Sequence, residues 1–328
     1  MTDDPRVGDL GEGQILQAIL ARLGESRAEV GPGDDAAVLA TPDGAVVATV
    51  DTLVHGPDFR LAWSSAYDLG WKSAAVNLAD IAAMGARPTA LLVALAMPDD
   101  TRLSFVTGLA DGLRDACDSL APGCVVEGGD LTVSDTLTIA VTALGVLGGR
   151  PAVLRSGARP GDVVAVAGDL GAAGRGLALL FARFRSDDGT PVPVDADGLD
   201  RGERRDLDAQ LRPEPPVRAG ERAASGGATA LMDVSDGLVL DATRLADASG
   251  VTLAIDSSSL GGDPASALSG GEDHALLATF PSSRALPDGF RAIGAVVERM
   301  AEAVLVDGHT HEGRGGWDPY SDWDAARG

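Results

Sequence analysis

The chain has 328 residues, of which 45% are hydrophobic, and its formal net charge is −23. This length and apolar content predict a globular protein with room for two domains, and the strong negative charge excludes the basic surface that binds nucleic acids or anionic membranes. The start of the chain is polar and acidic, and the apolar stretches are too short to span a bilayer, so we expect a cytoplasmic protein without a membrane segment. Small anions such as nucleotides remain possible partners if metal cations bridge them.

Several common kinds of site are absent from the sequence. Lys72 is the only lysine and lies within a helical pattern, which excludes the usual phosphate-binding loop with its Gly-Lys-Ser/Thr. Cys117 and Cys124 are too few for a disulfide framework or a zinc site, so we expect both to be small buried apolar residues. His309 and His311 have no further metal ligands close in sequence. The chemistry must therefore come from other residue types.

In chain order, the N-terminal half alternates helices with short apolar strands. The elements are predicted at residues 13–23, 45–50, 64–84, 89–97, 103–120, 125–127 and 137–147. Asp51 directly follows the second element, so it is expected near a strand terminus. In the helix at 64–84, Ser73, Asn77 and Asp80 share one face by their three- and four-residue spacing. This polar strip either faces solvent or lines a polar site.

The C-terminal half follows a Gly- and Arg-containing join at residues 148–161. Strands are predicted at 163–167, 228–232, 251–255, 275–280, 292–297 and 303–306, with helices after Gly171, up to Arg222 and from Gly237 to Ala248. We therefore expect an α+β protein with two mixed α/β domains, at residues 1–148 and 149–306. The polar tail at 307–328 contains two of the four tryptophans and is expected to dock onto the rest.

Four stretches place acidic residues beside glycine, where the backbone can turn sharply and approach a ligand closely. They are Gly33-Asp34-Asp35, Gly128-Gly129-Asp130, Asp233-Val234-Ser235-Asp236-Gly237 and Gly270-Gly271-Glu272-Asp273. Any one alone could be an ordinary helix cap, because Asp and Ser side chains accept the free amide protons of a first helical turn. Their recurrence favours a shared anionic site.

The carboxylates of such a site can converge only if cations neutralise them, since like charges repel strongly where water is excluded. The candidates are Asp34, Asp35, Asp51, Asp80, Asp130, Asp233 and Asp236. If they are not neutralised, they must lie apart and exposed. Oxygen ligands without cysteine or histidine indicate Mg²⁺, which also binds substrate phosphates. Metal together with phosphate indicates phosphoryl transfer or hydrolysis.

The order of these motifs resembles that of the thiamine-monophosphate kinase family, within the superfamily of aminoimidazole ribonucleotide synthetase. The resemblance covers most of the chain, from Gly31 to the tail. The matching blocks are residues 33–39, 51–54, 75–86, 128–132, 155–162, 233–238 and 269–273. The Asn-Leu-Ala-Asp-Ile-Ala-Ala-Met-Gly helix and the Ser-Gly-Gly-Glu-Asp stretch favour the kinases over their relatives.

The resemblance implies the aminoimidazole ribonucleotide synthetase-like fold, with N-terminal domains that pair their sheets across a homodimer. It also implies ATP-dependent phosphorylation of thiamine monophosphate to thiamine diphosphate by direct transfer, with several Mg²⁺ ions. The implied metal ligands are Asp35, Thr49, Asp51, Asp80, Asp130, Asp233 and Asp236. The implied ATP contacts are Gly129, Asp130, Arg155 and Ser235, and the implied substrate contacts are Asp58, Glu272 and Trp317.

Two departures from the family pattern bear on this hypothesis. Asp58 stands before Phe59 where the family usually has a histidine that contacts substrate, and His55 lies three residues earlier. The stretch Thr49-Val50-Asp51 has one hydroxyl fewer than the usual Ser/Thr-Thr-Asp. Two alternatives therefore stay open: a related ATP-dependent kinase or synthetase of the superfamily, and a metal- and nucleotide-binding dimer without catalytic activity.

Overall fold

The computed structural model describes residues 4–10, 12–27, 41, 44–313 and 315–317, with the backbone alone at 12 and 13. Two β-sheets with helices packed on them follow one another along this part of the chain. The candidate ligands Asp34 and Asp35 and the tail beyond Trp317 lie outside the described residues. In the described ranges, none of the helices combines the length and the apolar character needed to cross a bilayer.

The N-terminal half, as far as it is described, forms all the elements that the sequence predicts. The helices are α1 (Glu12–Leu23), α2 (Ala66–Ala83) and α3 (Leu103–Leu120), and the strands are β1 (Val47–Val54), β2 (Arg87–Met97), β3 (Val125–Val133) and β4 (Thr138–Val146). Ser65 begins α2 with a capping box that includes Asp68, and Gly85, with φ of 72°, follows its end. The sheet order is β1-β4-β2-β3, so β1 and β3 are its edges.

Strands β1 and β3 are longer than the sequence predicts, and both differences concern candidate site residues. The prediction that Asp51 lies near a strand terminus is wrong, because β1 pairs with β4 along its whole length from Val47 to Val54. The Gly128-Gly129-Asp130 stretch is part of β3 rather than a turn, since it pairs with β2 after a bulge. A Cβ at Gly129 would lie 2.0 Å from the carbonyl oxygen of Val93, so the close strand pairing there requires glycine.

The C-terminal half is built on a larger mixed sheet. Its strands are β5 (Asp162–Ala167), β6 (Ala230–Val234), β7 (Val251–Ile255), β8 (Ala275–Pro281), β9 (Phe290–Glu298), β10 (Val304–Val306) and β11 (His309–Thr310). Its helices are α4 (Ala172–Arg183), α5 (Arg201–Leu211), α6 (Val217–Gly226), α7 (Leu238–Ser249) and α8 (Pro264–Ser269). The order β11-β10-β7-β9-β5-β8-β6 makes β6 an edge strand. Directly after β6, the chain turns into α7.

Helix α2 is the element on which both halves pack. Trp71 Nε1 donates to the carbonyl oxygen of Pro213 at 2.9 Å. At the C-terminal end of α2, the carbonyl oxygen of Met84 accepts from the amide of Val153 at 3.1 Å. Most of the alanines of α2 are buried, and one hydrophobic cluster contains residues of both halves. Small side chains on α2 therefore let elements of the two halves approach it closely.

The contact between α6 and α2 gives a test of this packing. A Cβ at Gly220 would lie 2.2 Å from the carbonyl oxygen of Ala82. Gly220→Ala gains about 1 kcal/mol of helix propensity, but overpacking costs about 1–3 kcal/mol, and this overlap is with rigid backbone. We therefore expect a lower Tm in thermal unfolding followed by circular dichroism.

Gly262→Ala is the matched control, because a Cβ at Gly262 has no neighbour within 4 Å. Its Tm should equal that of the wild type. Equal Tm values for the two variants would contradict the close packing of α6 on α2.

Candidate active site

Four acidic side chains from β1, α2, β6 and the β6–α7 turn lie near one another, where α2 packs between the two sheets. The hydroxyl of Thr49 donates to Asp80 Oδ2 at 2.7 Å. The negative charges of Asp233 and Asp51 act on the Asp80 carboxyl, and those of Asp233 and Asp236 act on Asp51. The structure thus brings together five predicted metal ligands from elements distant in sequence.

The polar face of α2 is buried, so the alternative of a solvent-facing strip is wrong. Ser73 and Asn77 are each only 1% exposed. Asn77 Nδ2 donates to the carbonyl oxygen of Ser73 at 2.9 Å, and its Oδ1 accepts from the main-chain amide of Asp51 at 3.0 Å. Helix α2 therefore positions the backbone of β1 at Asp51 and also supplies Asp80.

Asp233 belongs to the fully buried strand β6 and is itself 4% exposed. Its Oδ2 lies 3.2 Å from Nδ1 of His274, which is also buried. His274 Nε2 is buried too, and it has no hydrogen-bond partner among the described residues. Because a buried carboxylate needs a partner, the imidazole stabilises Asp233 in this position.

The loop that carries Glu272 and His274 is held against the β6–α7 turn by main-chain contacts. The amide of Glu272 donates to the carbonyl oxygen of Ser235 at 2.7 Å. A Cβ at Gly271 would lie 2.4 Å from the same oxygen, so the close approach requires glycine. Glu272 and His274 have backbone φ values of 71° and 53°, which residues other than glycine rarely adopt. Ser235, a predicted ATP contact, therefore lies beside the acidic cluster.

Burial and mutual repulsion raise the pKa values of two of the clustered carboxyl groups, those of Asp80 and Asp51. Burial raises the pKa of Asp80 to about 7, and the charge of Asp233 adds to the effect. The pKa of Asp51 is raised for the same reasons. Burial opposes a charge on His274, but the hydrogen bond to Asp233 and the surrounding carboxylates outweigh it and raise the pKa of that imidazole. The cluster as a whole therefore favours added positive charge.

A second group of ion pairs lies at the N-terminal end of α7 and stabilises the turn before it. Arg244 Nη1 lies 2.6 Å from both Asp236 Oδ2 and Asp241 Oδ1. Asp241 is fully buried and accepts hydrogen bonds from the amides of Asp236 and Gly237. Burial raises the pKa of Asp241 to about 6, and the charge of Asp236 contributes. Arg244 and Asp241 together hold the turn that carries Asp236.

Two predicted substrate contacts, Asp58 and Glu272, neighbour each other and share a cation. Lys72 is buried, and its Nζ lies 2.5 Å from Glu272 Oε2. Asp58 follows β1, and its Oδ2 accepts from the amide of Val54 at 2.7 Å. The pKa of Asp58 is raised, first by burial and then by the charge of Glu272, while Lys72 acts in the opposite direction.

Gly129 and Asp130 lie away from this cluster within one chain. The strand register puts Asp51 and Gly129 in one row across the sheet, with β4 and β2 between them. At the usual spacing of strands, this separates them by about 14 Å. Asp130 is one residue further along β3, so its side chain points to the opposite face of the sheet from that of Asp51.

Arg155 and Trp317 lie at opposite ends of α7. The carbonyl oxygen of Arg155 accepts from the hydroxyl of Ser249 at the C-terminal end of the helix, about 18 Å along the helix from its start. The amide of Trp317 donates to the carbonyl oxygen of Asp236 at 2.9 Å, and the residue is 47% exposed. The described end of the tail therefore contacts the acidic turn, whereas Arg155 does not.

Sequence analysis missed four residues that contact the predicted ligands and substrate contacts: Lys72, Asp241, Arg244 and His274. Lys72 carried one signal, because it is the only lysine in an arginine-rich chain. Asp241 and Arg244 carried another, since their i, i+3 spacing places them on one face of the helix that follows the acidic turn. Nothing in the local pattern distinguished His274.

Comparisons with known proteins agree with the fold and the motifs. Residues 33–147 match the family described as AIR synthase related protein, N-terminal domain. The thiamine-monophosphate kinase of Mycobacterium tuberculosis (strain H37Rv) is 38% identical over 345 residues, which cover 98% of this chain and 96% of that protein. The thiamine-monophosphate kinase of Corynebacterium glutamicum is 40% identical over 335 residues, which cover 97% of this chain and 96% of that protein.

Solved structures give the same result. One described as AaThiL complexed with AMPPCP and TMP superposes with a TM-score of 0.73 at 33% identity, covering 95% of this chain and 98% of that one. The thiamine-monophosphate kinase from Stenotrophomonas maltophilia K279a superposes with a TM-score of 0.74 at 33% identity, covering 92% of this chain and 98% of that one. The expected aminoimidazole ribonucleotide synthetase-like fold is therefore confirmed.

The raised pKa values predict that chelator-treated protein loses thermal stability as the pH rises from 5 to 8. The pKa of Asp80 is 3.8 in its ordinary state and about 7 in the folded protein. The stability is therefore fully present below the lower value and is lost as the pH rises through the higher one. Differential scanning fluorimetry in EDTA measures this as a falling Tm.

Asp80→Asn serves as the comparison, because its amide does not ionise but still offers Thr49 an acceptor. The decrease in Tm between pH 5 and 8 should be smaller in this variant. Identical decreases in the two proteins would contradict the assignment to Asp80.

Proposed function

This chain belongs to the thiamine-monophosphate kinase family, and we propose that its acidic cluster is where the family's reaction takes place, the ATP-dependent phosphorylation of thiamine monophosphate to thiamine diphosphate. The carrying observation is the convergence of Asp51, Asp80, Asp233 and Asp236 beside Asp58 and Glu272. One region thus contains acidic groups suited to metal ions, which in turn bind phosphate, and others suited to a cationic substrate. The use of ATP as donor also supports a cytoplasmic location.

In the proposed reaction, a phosphate oxygen of thiamine monophosphate attacks the γ-phosphorus of ATP. The new P–O bond forms as the bond to the β-phosphate oxygen breaks, and the products are thiamine diphosphate and ADP. The attacking oxygen already carries negative charge, so the reaction needs no strong general base. The main obstacle is the repulsion between two phosphate groups, which the site must overcome by positioning and charge compensation.

The donor set of the cluster fits Mg²⁺. Its side chains offer carboxylate oxygens, and burial together with the charge of Asp233 raises the pKa values of Asp51 and Asp80. Among the described residues, no group of three or more histidine, cysteine, aspartate or glutamate side chains is arranged to hold a metal ion by itself. Mg²⁺ usually keeps several waters and takes one or two carboxylates together with substrate phosphates.

We assign the metal-binding role to seven residues of this family pattern. They are Asp35, Thr49, Asp51, Asp80, Asp130, Asp233 and Asp236. When bound, the ions supply charge that compensates the phosphates of donor and acceptor. The other residues hold this set in place: Asn77 fixes the backbone of Asp51, and Arg244 and Asp241 fix the turn at Asp236.

Catalysis is tested by measuring thiamine diphosphate formation from ATP, Mg²⁺ and thiamine monophosphate. We expect product with the wild type and a decrease in kcat of at least about 100-fold in Asp51→Asn, because loss of a metal ligand removes charge stabilisation. Omitting Mg²⁺ should abolish product formation in both proteins.

Gly262→Ala is again the control and should retain full activity, since a Cβ at this position has no neighbour within 4 Å. A wild type that binds ATP without forming thiamine diphosphate would refute the proposed reaction.

We further propose that the enzyme is a homodimer in which Asp130 acts on the partner's site. Within one chain, Asp130 and Asp51 lie on opposite edges and opposite faces of the N-terminal sheet. Both edges are unpaired in the described chain, and unpaired strands readily pair with another copy. Pairing the N-terminal sheets of two copies is thus a way to bring an Asp130 near an Asp51.

The face of the N-terminal sheet that points away from α2 supports this arrangement. It carries apolar residues with substantial exposure, including Val50, which is 60% exposed. Leu92 and Ala94 lie on the same face by their register with β4 and β1, and neither is buried. An apolar sheet face of this kind favours burial against a second copy.

Heterodimers distinguish a shared site from a site within one chain. Asp51→Asn and Asp130→Asn chains are co-expressed with different tags and purified through both. If the site is shared, one of the two sites contains both substitutions and the other contains none, so the activity should be about half that of the wild type.

Each homodimeric variant, purified in the same way, should be nearly inactive. A heterodimer as inactive as the two homodimers would contradict the shared site. A monomeric wild type in light scattering would contradict the dimer itself.

A further inference from the structure

We propose that Lys72 is a positioning residue for the substrate: it holds the Glu272 carboxylate ready for the cationic part of thiamine monophosphate and yields it when the substrate binds. This inference rests on the proposed function and on the role of Glu272 as a substrate contact. It gives a role to a residue that neither binds phosphate by a recognised motif nor belongs to the acidic set.

The surroundings of Lys72 are unusual for a lysine. Its side chain is only 6% exposed. It is also the only lysine in a sequence whose other basic side chains are arginine and histidine. A buried ammonium group is stable only if its hydrogens are satisfied. Lys72 Nζ meets this need with Glu272 Oε2 at 2.5 Å and the carbonyl oxygen of Gln210 at 3.2 Å.

Gln210 offers the ammonium group a further neutral acceptor. In the amide orientation that satisfies both ends of its side chain, Gln210 Oε1 accepts from Lys72 Nζ at 3.0 Å, and its nitrogen donates to the carbonyl oxygen of Ala173 at 2.9 Å. Gln210 is itself buried. Lys72 therefore keeps two oxygen acceptors on α5 even when Glu272 turns away from it.

Glu272 differs from Lys72 in its access to solvent. The Glu272 side chain is 44% exposed, whereas its backbone is fixed in the left-handed region by the hydrogen bond to Ser235. Partial burial works against its charge, but the Lys72 ammonium outweighs this and lowers the pKa of the carboxyl group. The result is an ionised carboxylate with a fixed backbone and one side open to a ligand.

Thiamine monophosphate carries a permanent positive charge on its thiazolium ring. This cation can compete with Lys72 for Glu272, while Gln210 retains the ammonium group. Asp58 lies close enough for its carboxyl group to respond to both charges, so the exchange takes place beside a second anion. A neutral analogue gains nothing from the exchange, and the pair therefore selects for a cationic acceptor.

Steady-state kinetics tests this role through the separation of the two substrates. In Lys72→Met, the KM for thiamine monophosphate should rise by about 10-fold or more, because the Glu272 carboxylate loses the cation that holds it in position, and this loss outweighs the removal of a competitor. The KM for ATP and the thermal shift produced by ATP should stay within about 2-fold of the wild type. Lys72→Arg should give an intermediate KM, since it keeps the charge but not the geometry.

Arg212→Met is the matched control for stability. Like the contact of Lys72 with Gln210, the ion pair of Arg212 with Asp68 joins the end of α5 to α2, at 2.7 Å. Arg212 forms no ion pair with Glu272. This variant should lower the Tm without changing the KM for thiamine monophosphate. An equal rise in KM in Lys72→Met and Arg212→Met would mean that packing of α5 on α2, rather than the pair with Glu272, is responsible.

The single lysine also allows a direct spectroscopic test in the wild type, independent of whether a variant folds. Protein labelled with [ε-¹³C]lysine gives one side-chain signal, which should shift on addition of thiamine monophosphate without ATP. In Glu272→Gln, the signal should start at a different position and should not respond.

An unmoved signal at saturating thiamine monophosphate, or an unchanged KM in Lys72→Met, would overturn the proposal. These outcomes are distinct from failure of the proposed function, which is a wild type that forms no thiamine diphosphate. In that case, the lysine signal still reports whether the pair responds to the cation.

Discussion

Repulsion among carboxylates is the constraint on which the rest of the structure depends. The acidic side chains of the site come from strands and a helix that are distant in sequence, and they lie partly out of water, where their charges interact strongly. Lys72, Arg244 and His274 each pair with one member of the group or with the adjoining Glu272. Even with these partners, burial and then the charge of Asp233 raise the pKa of Asp80 to about 7. Such a site is matched to ligands that bring positive charge, whether a divalent cation or a cationic substrate.

Helix α2 converts this electrostatic requirement into a geometry. Its small apolar residues let elements of both halves of the chain approach it, as at Gly220 and Ala82. Its polar residues are buried on the side that meets β1 and β6, where Asn77 holds the backbone of Asp51 and Asp80 faces the other carboxylates. Because one helix belongs to the core and to the site, packing of the two halves and placement of the ligands are a single structural problem.

The sequence predicted most of the helices and strands, but it placed two groups of site residues in the wrong local structure. A short apolar run followed by a charged residue predicts the end of a strand, and for this reason the sequence predicts Asp51 near a terminus. In the folded chain, β4 supplies backbone partners beyond that point, and Asn77 accepts a hydrogen bond from the main-chain amide of Asp51. The strand therefore continues. Gly128-Gly129-Asp130 reads as a turn for a similar reason, whereas pairing with β2 extends it as strand.

By itself, the sequence determined the alternation of helices and strands, the acidic character of the site and, through its motifs, the resemblance to a kinase family. These properties are local, because they depend on residue type and on spacing within one segment. Only the tertiary structure decided that Asp51, Asp80 and Asp233 meet, that Asp130 points away from them, and that Lys72 pairs with Glu272. Strand order and the packing of α2 between two sheets fix these relations. They join residues up to 200 positions apart, and no periodicity within a single segment encodes them.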